Sequence, residues 1–161
     1  MPNTDHDAKL PFRLQYSVSL QDTHALAEWI DRACSYLEKQ LLLTPARISV
    51  GTTGGRPAPV GNRLEFLKRI ARRDHPYFVL SDVVRSNGAL GDVLVTGIAE
   101  QDGASLGIFV ELPKVRWDAY ERIFVSVGDL LGAYTGVLIP RYLETAMAAH
   151  ERLAVSNDFR N

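Results

Sequence analysis

The chain has 161 residues, 46% of them hydrophobic and 23% charged, with a net charge of -1 and a single cysteine. That length fits one domain able to bury roughly two-thirds of its unfolded surface. The composition excludes a disordered chain, a disulfide-stapled scaffold and a generally basic nucleic-acid binder.

Residues 1–10 read as a flexible, polar and acidic leader without the positive start and apolar run of a secretory signal. From Phe12 to Leu20, Phe12, Leu14, Tyr16 and Val18 alternate with Arg13, Gln15, Ser17 and Ser19, the period of a strand with one buried face. Asp22 and Thr23 can cap a helix over Asp22 to Leu42, whose apolar stripe runs through Leu26, Trp29, Ile30, Ala33, Leu37 and Leu41. Thr44-Pro45 ends it, because proline cannot continue the hydrogen bonding of a helix. A short strand is expected over Arg47 to Val50, then a loop rich in glycine and proline from Gly51 to Gly61.

Asn62, with Glu65 three residues later, predicts a short central helix bearing Leu64, Leu67, Ile70 and Ala71. Tyr77 to Val84 and Val93 to Glu100 read as antiparallel partners around the Asn87-Gly88 turn. After a second turn at Asp102-Gly103, Leu106, Ile108, Val110 and Leu112 share one face of a strand, and Gly107, Phe109 and Glu111 share the other. Trp117, Tyr120, Phe124, Val127 and Leu131 form the stripe of a second long helix over Arg116 to Leu131, followed by a strand over Tyr134 to Ile139. Pro140 opens a C-terminal helix through Leu153, and residues 156–161 are expected to fray. The longest apolar stretch, Ile123 to Ile139, is broken by Asp129 and three glycines, so no membrane span is predicted and a cytoplasmic protein is expected.

Two strand–long helix–strand units thus flank a meander. They predict an α+β domain over residues 11–155, with one antiparallel or mixed sheet and two long helices packed on one face.

No residue constellation names a reaction. The Gly51 to Gly61 loop lies between a strand and a helix, where amides can hold a phosphate, but it lacks the P-loop lysine and its prolines remove donors. His6, His24, His75 and His150 show no metal-ligand spacing, and no nucleophile elbow surrounds Ser81 or Ser86. Cys34 falls on a helix stripe and reads as core. No enzyme activity, metal or cofactor is therefore predicted. Arg63, Lys68, Arg69, Arg72 and Arg73 read as one basic face of the central helix, opposite its apolar stripe, suited to an acidic protein surface or a phosphate.

The order of elements, the hairpin from Gly97-Ile98-Ala99 to Gly103-Ala104-Ser105-Leu106, the strand ending Val110-Glu111-Leu112-Pro113 and the Trp117-led helix resemble the immunity proteins of bacterial polymorphic toxins. The resemblance implies a non-catalytic antidote that binds and neutralises a cognate toxin, often an effector of a contact-dependent or type VI secretion system. Arg56, Arg69, Arg72 and Arg73 are the expected partner-binding residues. Two alternatives stay open: a small-molecule or nucleotide-binding domain using the Gly51 to Gly61 loop, possibly an enzyme, and a structural or regulatory subunit that forms a homo-oligomer.

Overall fold

The computed structural model describes residues 10–43, 47–140 and 155–158. In chain order the elements are β1 (Leu10–Ser19), α1 (Thr23–Gln40), β2 (Val50–Thr52), β3 (Ala58–Pro59), α2 (Arg63–Ala71), β4 (Tyr77–Ser81), β5 (Leu94–Ala99), β6 (Ser105–Val115), α3 (Trp117–Leu130), β7 (Thr135–Pro140) and β8 (Val155–Asp158). The strands form one sheet in the order β3-β2-β4-β5-β6-β1-β7-β8. Every neighbouring pair is antiparallel. The fold is α+β, and the choice between an antiparallel and a mixed sheet falls to the former.

Strand β1 lies between β6 and β7 and is antiparallel to both, so β6 and β7 run parallel with one strand inserted. Helix α3 joins them and must cross β1. It does so with contact: Phe12 on β1 meets Tyr120 and Trp117 at ring-centroid distances of 3.8 and 5.3 Å, and Tyr16 stacks on Phe124 at 5.5 Å. Strands β1 and β2 are likewise parallel by alternation, separated by three strands, with α1 as their connection.

The caps form where the sequence places them. Asp22 Oδ1 accepts from the Ala25 amide at 2.9 Å, and Asn62 Oδ1 accepts from the Glu65 amide at 3.1 Å. Each satisfies an amide that the first helical turn leaves without a partner. Helix α3 has no side-chain cap of that kind. Instead its Tyr120 hydroxyl donates to the Pro113 carbonyl at 2.6 Å and accepts from the Val115 amide at 2.9 Å, tying the helix to the end of β6.

Phe12, Leu14, Tyr16 and Val18 are buried, as are Leu106, Ile108, Val110 and Leu112. They form one core with Leu26, Ile30 and Leu37 of α1, Leu67 and Ile70 of α2, and Phe124 and Val127 of α3. The alternate residues of β1, namely Arg13, Gln15 and Ser17, pair with Glu111, Phe109 and Gly107 of β6 and are only partly covered. One face of the sheet therefore carries the core.

Several elements differ from the sequence reading. Residues 51–61 are not a plain loop, because Ala58–Pro59 pairs with Val50 and Gly51 to make a small edge hairpin. Strand β2 begins at Val50, three residues later than periodicity placed it. Around Asn87-Gly88 the regular pairing stops at Ser81 and Leu94, with one further bridge from Val84 to Leu90. Gly88 adopts φ 83°, a conformation that glycine reaches without a Cβ clash. The expected C-terminal helix over 140–153 falls almost wholly outside the described residues, while Pro140 closes β7. Val155–Asp158 pairs with β7 as an edge strand, where fraying had been expected from residue 156.

The contact between β1 and α3 generates a stability expectation. Phe124 is 1% exposed and lies against Tyr16. Phe124→Ala should cost about 3–5 kcal/mol in urea unfolding, the usual loss for a buried aromatic side chain. A loss under about 0.5 kcal/mol, typical of surface positions, would contradict this packing.

Candidate functional site

Helix α2 and the β2–β3 hairpin enclose a groove of about 290 Å³ lined by Gly51, Ala58, Pro59, Val60, Gly61, Asn62, Glu65, Phe66 and Arg69. Gly51 permits the close approach of hairpin and helix. A Cβ there would stand 2.6 Å from Val60 Cγ2 and 3.0 Å from Phe66 Cζ, inside ordinary contact distance. Glu65 shares the groove with Arg69, so a negative charge faces any anion that would enter. The volume also lies at the small end of ligand pockets, which run to about 1,000 Å³.

Beyond the groove, Arg69 in the last turn of α2, Arg72 at its C-cap and Arg73 just past it are exposed to solvent. At 100° per residue, Lys68, Glu65 and Arg69 lie on the side opposite Leu67 and Ile70. Lys68 is 3.4 Å from Glu65. Arg69, Arg72 and Arg73 form no ion pair among the described residues. Arg72 and Lys68 also line a depression of about 70 Å³ with Thr23 and His24 at the start of α1. The structure thus brings Arg69, Arg72 and Arg73 onto one strip. Arg56 is exposed on the turn between β2 and β3 and lines neither depression.

Arg63 departs from the sequence reading, which set it on the exposed basic face. It turns inward instead, with only 13% of its side chain exposed. Its Nε donates to Asp31 Oδ1 at 2.7 Å, Nη1 donates to Glu38 Oε1 and to the Ile48 carbonyl at 2.8 Å, and Nη2 reaches Ser35 Oγ at 2.9 Å. Glu38 Oε1 also accepts from the Ile48 amide at 3.1 Å. The physical reason is position: Arg63 opens the helix four residues before Leu67 and seven before Ile70, so its side chain leaves α2 on the buried face and meets α1. Burial opposes its charge, but Cys34, Asp31 and Glu38 together outweigh that cost and raise its pKa. This cross-brace holds α2, and hence the arginine strip, against α1. Two spacings in the sequence signal it: Arg63 with Leu67 and Ile70 on one side of α2, and Asp31, Ser35 and Glu38 on one side of α1.

Other candidates fall away from this site. Cys34 is fully buried, and burial pushes its thiol up to about 12, so it is no ready nucleophile. His24 lies 3.6 Å from Glu28 on the exposed side of α1. Ser81 is buried at the end of β4, where its hydroxyl accepts from the Gly91 amide at 3.0 Å. Among the described residues no group of three or more histidine, cysteine, aspartate or glutamate side chains is placed to hold a metal ion. Nor is any helix there long and apolar enough to cross a membrane.

No family model and no curated protein matches the chain. Among solved structures, the fold is similar to the Pseudomonas aeruginosa T6SS protein PA0821, with a TM-score of 0.50 and 11% identity. The match covers 80% of this chain and 39% of that one, so the present chain spans about two-fifths of its neighbour's length. At that identity the likeness is one of fold. The class so defined is an α+β domain built on a single antiparallel sheet, shared with a protein of a type VI secretion system.

Two outcomes follow from the brace. Arg63→Ala leaves Asp31 and Glu38 facing each other without their cation, and should lower unfolding stability by about 3 kcal/mol. Adding Asp31→Asn and Glu38→Gln should return part of that loss, whereas strict additivity of the three changes would dissolve the network. Separately, Cys34 at about 12 and Tyr120 at about 12 both favour their neutral forms in the fold. Their stabilisation is fully present below pH 9 and is lost as pH rises to 12, with Cys34 supplying at most about 4 kcal/mol. In Cys34→Ala the alkaline decline should begin near pH 10, where tyrosine starts to ionise in the unfolded chain. An unchanged onset near pH 9 would contradict the burial of the thiol.

Proposed function

We propose that this chain is a non-catalytic immunity protein that binds and neutralises a cognate effector or toxin domain of a type VI-type secretion system. The observation that carries this reading is the strip of Arg69, Arg72 and Arg73, solvent-facing and without ion pairs among the described residues. Guanidinium groups present planar donors to carboxylates, and a set of them grouped at the C-terminal end of a braced helix suits an acidic protein surface better than a small anion in a closed pocket. Arg56, on the neighbouring hairpin, extends the same contact. The likeness to the T6SS protein PA0821 supplies the setting. Inhibition by occlusion requires no turnover, in keeping with a surface built from arginines around a shallow groove.

The test is affinity for a candidate secretion-system effector, sought first among the products of the neighbouring genes. Reversing Arg69 and Arg72 to glutamate should leave the unfolding midpoint nearly unchanged, because both lie on the exposed side of α2. The complex should weaken by several kcal/mol if each arginine meets a desolvated carboxylate, mostly through faster dissociation. An unchanged dissociation constant at low salt would remove this helix from the interface. Absence of any complex with the wild-type chain would remove the immunity reading itself.

A further inference from the structure

The sheet face opposite the helices contains a hollow of about 110 Å³ over the pairing of β1, β6 and β7. Its floor is Gly107, paired with Ser17 on one side and Ile98 on the other, so the middle of this face has no side chain. Phe109 forms one wall: a Cβ on Gly107 would stand 3.1 Å from Cε2 of that ring. Glu100 forms another wall, with Oε1 accepting from Ser17 Oγ at 3.0 Å and lying 3.4 Å from the same Cβ position. Gln15 and Thr135 complete the rim. Among the described residues no cation lies within 4.0 Å of Glu100.

Elsewhere on the same face a carboxylate already seats a cation. Arg13 pairs with Glu111 at 2.7 Å, and its guanidinium carbon lies 6.0 Å from the centroid of the Phe109 ring. At one end of the face Glu111 thus holds an arginine beside the Phe109 ring, and at the other the hollow presents a second carboxylate, Glu100. Next to it, Ile98 is 44% exposed and its cross-strand partner Tyr77 is 41% exposed, giving an apolar margin.

We propose that this hollow is an arginine-binding subsite, and that the exposed part of the sheet face around it, at Ile98 and Thr135, docks a protein which presents an arginine flanked by apolar residues. The charge of Glu100 selects a cation, and the acceptors on Gln15, Ser17 and Thr135 match the several donors of a guanidinium. The space admits one such head but not a drug-sized ligand, which needs at least about 300 Å³. An apolar margin keeps water from the pair, the arrangement found around strong interface contacts. This surface lies on the opposite side of the sheet from α2 and does not depend on the function proposed for the arginine strip.

Amide chemical-shift titration with acetyl-Leu-Arg-Leu-amide tests it directly on the full chain. Saturable shifts are expected at Gly107, Phe109 and Thr135, with dissociation constants about five- to tenfold weaker in Glu100→Gln, and no saturation with the neutral citrulline peptide. Gly107→Val, which fills the hollow but keeps Glu100, should also abolish the shifts. No saturable shift at tens of millimolar peptide, or equal binding of the citrulline peptide, would overturn the proposal. So would a concentration-dependent dimer that disappears in Glu100→Gln, since a second copy would then occupy the face.

Discussion

Tyr16 stands where the sheet and its crossing helix meet. Its ring stacks on Phe124, and its hydroxyl donates to the carbonyl of that same residue at 2.8 Å, within the core. A buried hydroxyl without such a partner would cost about 1–3 kcal/mol, so this bond allows an aromatic side chain with a polar tip to occupy the centre of the fold. Burial raises its pKa well above the ordinary phenol value, in keeping with a neutral, donating group. Because β1 is flanked on both sides by strands that α3 connects, the Tyr16–Phe124 contact fixes the crossover. The sheet order then follows from antiparallel neighbours.

Charge is distributed in keeping with that division into a covered and an open face. Arg63 spends its donors on Asp31, Ser35, Glu38 and the Ile48 carbonyl, making an internal brace between α1 and α2. Arg69 in the last turn of α2, with Arg72 and Arg73 at and beyond its end, faces solvent. On the open face, Arg13 and Glu111 neutralise one another across β1 and β6, leaving Glu100 as a carboxylate with a hydroxyl partner. A near-neutral net charge of -1 therefore conceals a positive strip and a negative hollow on separate surfaces. Composition alone cannot report such a separation, since it counts charges without their directions.

The strong periodicities carried most of the fold into view. The alternation from Phe12 to Val18 named the buried face of β1, and the Trp117 to Leu131 stripe named α3, because both patterns are long and each is enforced by burial on one side. The edge hairpin was hidden because its strands are only three and two residues long, too short for any period to register. Arg63 was misplaced for a different reason. It lies four residues before Leu67 and seven before Ile70, so helical spacing sets it on the same face as the apolar stripe, and grouping it by charge with the arginines that follow hid this. For the site, helical spacing was enough to group Arg69, Arg72 and Arg73, but the hollow over Gly107 depends on β1, β6 and β7 being neighbours. A glycine within a strand beside an aromatic residue was its only trace in the sequence.

The central claim is that this chain acts by occupying a partner rather than by chemistry. The most direct measurement is the residual activity of a candidate effector that binds the chain, followed as purified chain is added. The account predicts a linear fall to zero at one chain per effector, with no further change on longer incubation, as expected for stoichiometric occlusion. Full effector activity in the presence of excess chain would contradict it, and so would substoichiometric loss that grows with time.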